Sequence, residues 1–157
     1  MRFELPTEKL VVAVEPWFDD AETIRYLGGP EWVRASLALM RKTPGLELKG
    51  SLVLARHVWV IFNEEDRPVA LVDAELYEDG ATALAMVVAP SIRSRGVGQR
   101  ILIALTEREE LKNVQTIIGG VEPENAACRA CLKKAGFTIS EEPDEEGMLV
   151  VEKAVKI

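Results

Sequence analysis

The alternation of apolar and polar positions along the chain predicts strands and helices around one sheet. The apolar run from Leu10 to Val14 ends at Glu15-Pro16 and reads as a first strand and its exit, because proline cannot donate to a ladder. Asp19 or Asp20 then caps a helix through Thr23, Ile24 and Leu27 that stops at Gly28-Gly29, and Pro30 opens a second helix carrying Trp32, Val33, Leu37 and Met40. Three antiparallel strands follow at 56–62, 69–77 and 82–88, turned at Glu64-Glu65-Asp66 and Glu78-Asp79-Gly80. Val97, Ile101, Ala104 and Leu105 recur at helical spacing, with Arg100, Glu107 and Arg108 on other faces, as in a helix that covers a sheet. A strand at 116–121, a helix at 125–134 closed by Gly136, and strands at 137–140 and 148–155 complete the order.

This alternation defines one α/β (α+β) domain spanning 1–157, with no repeat or linker to divide it. Hydrophobic residues at 48% and charged residues at 29% are enough for a packed core. A formal net charge of -7 disfavours nucleic acid and anionic membranes as partners and favours cations. The beginning of the chain has neither a basic leader nor a long apolar run, so a cytoplasmic location is expected. Cys128 and Cys131 lie too close in sequence to staple distant parts of the fold and are expected as packed, reduced thiols. His57 is the only histidine, so no zinc site, and no metal, is expected.

The densest chemical signal is Arg93-Ser94-Arg95-Gly96-Val97-Gly98, between a strand and a helix. Glycines there allow close backbone approach, the first-turn N–H groups lack internal acceptors, and the helix dipole suits a phosphate or pyrophosphate. A tight turn with solvated arginines is the plainer alternative. A dinucleotide fingerprint fails because Ile101 stands where its third glycine is required, and a P-loop fails for want of G-K-[ST].

Met86-Val87-Val88-Ala89-Pro90 leading into Arg93-x-x-Gly96-x-Gly98 resembles the hallmark of the GNAT superfamily of N-acetyltransferases. Asn125-Ala126-Ala127-Cys128 through Lys134-Ala135-Gly136-Phe137 resembles that family's second block. The resemblance is close from Val69 to Phe137 and rests on element order elsewhere. It implies a mixed, mostly antiparallel sheet with the strands 82–88 and 116–121 splayed, and acetyl-CoA in the gap as co-substrate. By that likeness Met86 and Val88 pair with the pantetheine, the backbone from Ser94 through Arg95, Gly96, Val97 and Gly98 to Gln99 cradles the pyrophosphate, and Asn125 and Cys128 border the cofactor. A main-chain N–H near Val87 would stabilise the oxyanion as an amine attacks the thioester. Leu132 stands where many members carry a tyrosine that protonates the leaving thiolate, so the likeness supplies no general acid.

An ammonium must lose a proton before it attacks, and the expected bases are Glu122, after the strand 116–121, and Glu75, on the same strand face as Asp73. An exposed surface carboxylate is the competing reading for each. Trp17, Tyr26 and Trp32 fall in the region that forms part of the acceptor pocket in GNAT relatives, with core packing as the alternative. The expected activity is acetyl transfer to a primary amine of a small cationic acceptor, with Asp19, Asp20, Glu22 and Glu31 framing its pocket. A protein N-terminus or lysine is the alternative acceptor, a non-catalytic acyl-CoA binder or a nucleotide module the alternative function, and a homodimer is left open.

Overall fold

The computed structural model describes residues 1–20, 29, 31–42, 47–48, 51–93 and 95–155. The element order is β1 (Arg2–Glu4), α1 (Glu8–Val14), a 3-10 turn (Glu15–Asp19), α2 (Glu31–Lys42), β2 (Glu47–Leu48), β3 (Ser51–Phe62), β4 (Pro68–Tyr77) and β5 (Ala81–Val88). After it come α3 (Val97–Leu105), β6 (Thr116–Val121), α4 (Ala126–Lys134), β7 (Thr138–Ile139) and β8 (Leu149–Ala154). The sheet runs β1-β3-β4-β5-β6-β8-β7, with β2 paired onto β3. Every pairing is antiparallel except β5 with β6.

The expected strand over Leu10 to Val14 is a helix. Thr7 caps it, its Oγ1 accepting from the Leu10 N–H at 3.3 Å, and Glu8 sits favourably in the first turn. Val11 and Val14, three apart, are buried while Val12 between them is 57% exposed, which is helical rather than strand spacing. The helix expected through Thr23 to Leu27 lies outside the described residues, as does Pro30. The short β1 was not foreseen.

Helices cover both faces of the sheet. On one, Val97, Ile101 and Leu105 of α3 pack against Trp59, Ile61, Val72, Ala74 and Ile117, with Cys128, Cys131 and Leu132 of α4 at the margin. On the other, Val11, Val14, Phe18, Val33 and Leu37 pack on Val58, Val60, Leu71 and Val87. The period-2 alternation of a strand sends Met86 and Val88 to the α3 side and Val87 to the α2 side.

α4 ends as its sequence requires. Gly136 takes φ +90°, its N–H bonding Lys133 O and the Phe137 N–H bonding Leu132 O, each at 3.0 Å, so Phe137 turns back into the core.

Candidate active site

β5 pairs with β4 from Thr82 to Val88, but with β6 only at Ala81–Thr116, Thr82–Ile117 and Ala83–Ile118. Beyond that point both strands continue without pairing each other. Residues 84–88 therefore present one backbone edge to a wedge-shaped gap, where N–H and C=O groups are available to a ligand. Gly119 stands at the apex, and a Cβ there would be 3.6 Å from Leu84 O and 3.3 Å from Val151 Cγ2. A larger residue would push the strands apart at the point where they still touch.

The end of β5 leads through a short turn (Pro90–Ile92) to Gly96, the N-cap of α3, at φ +77°. That left-handed conformation suits glycine, and it points the first N–H groups of α3 outward without a side-chain cap. Gly98 sits where α3, β5 and α4 meet: a Cβ on it would lie 3.2 Å from Cys131 Sγ and 3.3 Å from Met86 Cε. Gln99 Nε2 donates to Lys134 O at 3.3 Å and so links the start of α3 to the end of α4.

Arg93 lies at the mouth of this gap and its Nη1 donates to Asp20 Oδ2 at 2.6 Å, both side chains being about one-third exposed or less. Arg95 is exposed, and its carbonyl accepts from Arg100 Nη1 at 3.4 Å. Asn125 caps α4, its Oδ1 accepting from the Cys128 N–H at 3.2 Å, while its own N–H bonds Glu122 O at 3.0 Å. Glu122 is half-buried just past the end of β6. The Cys128 thiol is pushed up to about 11 by burial, with Cys131 beside it adding to the shift. Leu132 packs against the core. Ser94 and Tyr26 lie outside the described residues.

On the other face of the sheet, α2 roofs a cavity of about 370 Å³ over β3, β4 and β5, lined by Trp32, Ser36, Leu39, Arg56, Asp73, Glu75 and residues 83–85. Trp32 lines the cavity and stacks on the core residue Phe18 with centroids 5.8 Å apart, while Trp17 packs against the same core and does not line the cavity. Glu75 is no surface carboxylate. The β3–β4 register sets Arg56 opposite it, and Asp73, two residues away, shares its face. Arg56 Nη1 donates to Asp73 Oδ2 at 2.7 Å, Arg56 Nη2 pairs with Glu75, and the Tyr77 hydroxyl also donates to Glu75. Burial raises the Asp73 carboxyl, against the opposing pull of Arg56 and of a hydrogen bond from Ser36.

Sequence reading missed Arg56 and Ser36, and took Asp73 only as a neighbour of Glu75. The available signal was three ionic positions on strands otherwise rich in Val, Leu and Ala, since charges that enter a core do so paired. Among the described residues no group of His, Cys, Asp and Glu side chains could hold a metal ion, and no helix is long and apolar enough to cross a membrane.

Residues 55–139, more than half of the chain, match the family described as acetyltransferase (GNAT) domain, and the chain belongs to that family. It is thus an acetyltransferase of the GNAT type. No curated protein matches its sequence. Among solved structures it is similar to the aminoglycoside acetyltransferase AAC(6')-Ib in complex with coenzyme A and kanamycin, at TM-score 0.73 and 15% identity over 97% of this chain and 93% of that one. It is also similar to a ribosomal-protein-alanine N-acetyltransferase from Brucella melitensis (TM-score 0.72, 20% identity, 98% and 99% covered). A third likeness is to a putative phosphinothricin N-acetyltransferase (TM-score 0.71, 12% identity, 99% of both chains). At such identities these likenesses establish the fold, and the GNAT sheet expected from the sequence is the one observed.

Proposed function

We propose that the protein transfers the acetyl group of acetyl-CoA to a primary amine of a small cationic acceptor, by direct attack on the thioester and without a covalent enzyme intermediate. The carrying observation is the end of β5–β6 pairing after three residue pairs, directly before a glycine-opened helix start. The pantetheine would lie along 84–88, taking the backbone groups of Met86 and Val88 that β6 leaves unpaired. The pyrophosphate would lie over the N–H groups from Ser94 to Gln99, beside Arg93 and Arg95, with Asn125 and Cys128 on the opposite wall. The N–H near Val87 would meet the developing oxyanion.

Glu122 is our first choice of base and Glu75 the second. Glu122 is half-buried and solvent can reach it, whereas Glu75 already answers to Arg56 and Tyr77. The ammonium gives up one proton to the base, the free amine bonds the thioester carbon, the nitrogen of the adduct loses its second proton to water, and the C–S bond breaks to leave the amide and a thiolate. A thiolate with a parent pKa near ~8.5 leaves without help, so Leu132 in place of a tyrosine is compatible with turnover. Net charge -7 supports cationic acceptors and disfavours nucleic acid and anionic membranes as partners.

Free-thiol release from acetyl-CoA across an amine panel tests this reading. Glu122→Gln should lower kcat/KM by ~100-fold or more, most at low pH where the amine is protonated, and a parental pH profile would move the role to Glu75 or to water. The packed Leu132 favours a second reading, a CoA binder without chemistry, and CoA binding with no thiol release from any amine would select it.

A further inference from the structure

Arg93 and Asp20 stand 73 residues apart in sequence, yet Arg93 Nη1 donates to Asp20 Oδ2 at 2.6 Å. Both partners rise from anchored backbone. Arg93 closes the short turn Pro90–Ile92, which is pinned where the Ala89 N–H bonds Val69 O at 2.9 Å and the Ile92 N–H bonds Ala89 O at 3.1 Å. Asp20 closes the 3-10 turn Glu15–Asp19, which is pinned by Phe18, fully buried and stacked on Trp32. The side chains of Arg93 and Asp20 are 27% and 31% exposed, so solvent and salt weaken their attraction less than that of a surface pair. A short, charge-assisted bond between fixed roots holds the guanidinium toward Asp20.

The proposed diphosphate site begins one residue further on, at Ser94. A guanidinium rooted beside it is within reach of the diphosphate, so two anions lay claim to one positive charge. Asp20 must be displaced, or must share the guanidinium, before Arg93 gives its full charge to the cofactor, and either adjustment subtracts from the cofactor's affinity. That loss has a use. Acetyl-CoA and CoA carry the same diphosphate, so a grip firm enough to seize the substrate also holds the product, and binding substrate and product more tightly does nothing for the chemical step. A residue that competes for Arg93 shortens the hold on both.

We propose that Asp20 is a positioning residue that acts on the cofactor through Arg93: it competes with the diphosphate for the guanidinium and thereby speeds the release of CoA. The proposal rests on the acetyl-transfer reading, which puts the diphosphate over the backbone from Ser94 to Gln99.

Calorimetry with CoA and stopped-flow displacement of bound CoA test it on four proteins: the parent, Asp20→Asn, Arg93→Gln and the double variant. Asp20→Asn removes the competitor and should bind CoA about fivefold to tenfold tighter, nearly all of it as slower dissociation. Arg93→Gln should bind more weakly than the parent, and Asp20→Asn should add nothing to it, because its effect passes through Arg93. The cycle separates this role from two others. A carboxylate that only braces the fold would lower CoA affinity when replaced, and one that only repels the diphosphate would raise it by the same factor in both backgrounds. Asp20→Ala and Arg93→Met repeat the cycle where a first-choice variant does not fold, as judged by its thermal transition. CoA affinity unchanged or lowered in Asp20→Asn, or raised equally in the Arg93→Gln background, overturns the proposal and leaves the acetyl-transfer reading standing. A parent protein that binds no CoA overturns that reading itself, and the proposal with it.

Discussion

Gly98→Val probes packing and cofactor binding at one position. A Cβ at Gly98 would be 3.2 Å from Cys131 Sγ, 3.3 Å from Met86 Cε and 3.8 Å from Val88 Cγ2, and valine adds two methyl groups beyond it. The Met86 tip can swing aside. Cys131 on α4 has only Sγ beyond its Cβ and must rotate or carry the helix with it. Overpacking of this kind costs ~1–3 kcal/mol. Replacing glycine inside a helix returns only a few tenths, leaving a net loss of about 2 kcal/mol. In a domain of this size each kcal/mol moves Tm by roughly 2–4 °C, so thermal unfolding should show a fall of roughly 4–8 °C. Adding Cys131→Ala removes the nearest obstructing atom and should restore about half of that loss. The valine also fills the close approach at the start of α3, and calorimetry should show CoA affinity down at least ~10-fold. A folded Gly98→Val protein with parental Tm and parental CoA affinity would refute both steps. A lowered Tm with parental CoA affinity would place the pyrophosphate elsewhere.

Two further predictions concern titrating groups. The Cys128 thiol, raised from 9.0 to about 11, carries ~100-fold less thiolate at pH 8, so its alkylation by iodoacetamide, read peptide by peptide, should be slower by that factor, and modification at the rate of an unburied thiol would contradict the burial described. His57 stacks on Trp59 at 5.2 Å and is lowered from 6.5 by burial, with Glu110 opposing and Arg108 reinforcing. The unfolded chain therefore binds its proton more readily, so this stability is present above pH 6.5 and lost as pH falls below it. Tm should drop between pH 7.5 and pH 5.5 by less in His57→Asn than in the parent, and parallel profiles would show that His57 does not carry the effect.

The parts legible in the sequence are those set by local chemistry. Turn residues at 64–66 and 78–80, the glycine that opens α3 and the glycine that ends α4 each act within a few residues, and the structure places them as read, while Asn125, read as the first helical residue, is the cap of α4. The run Leu10 to Val14 misled because β-branched residues favour strands, whereas the Thr7 cap and the burial of Val11 and Val14 favoured a helix. The Arg56, Asp73 and Glu75 cluster was hidden for a different reason. It depends on the pairing register of two strands and on the helix that roofs them, and nothing within a few residues of Glu75 announces a partner nineteen positions earlier. The pairing of Arg93 with Asp20 is equally non-local, joining residues seventy-three positions apart.

The gap between β5 and β6 also divides the sheet by origin. β1, β3, β4 and β5 come from the first part of the chain and β6, β8 and β7 from the last, and among the described residues all pairing except that of β5 with β6 stays within one part. Two largely self-contained half-sheets are thus joined by three residue pairs and by the helices packed across them. A ligand laid along the open seam supplies hydrogen bonds that the missing ladder would have made. The acetyl-CoA proposed to lie there would act as mortar as well as reactant, its binding energy added to the energy that holds the halves together.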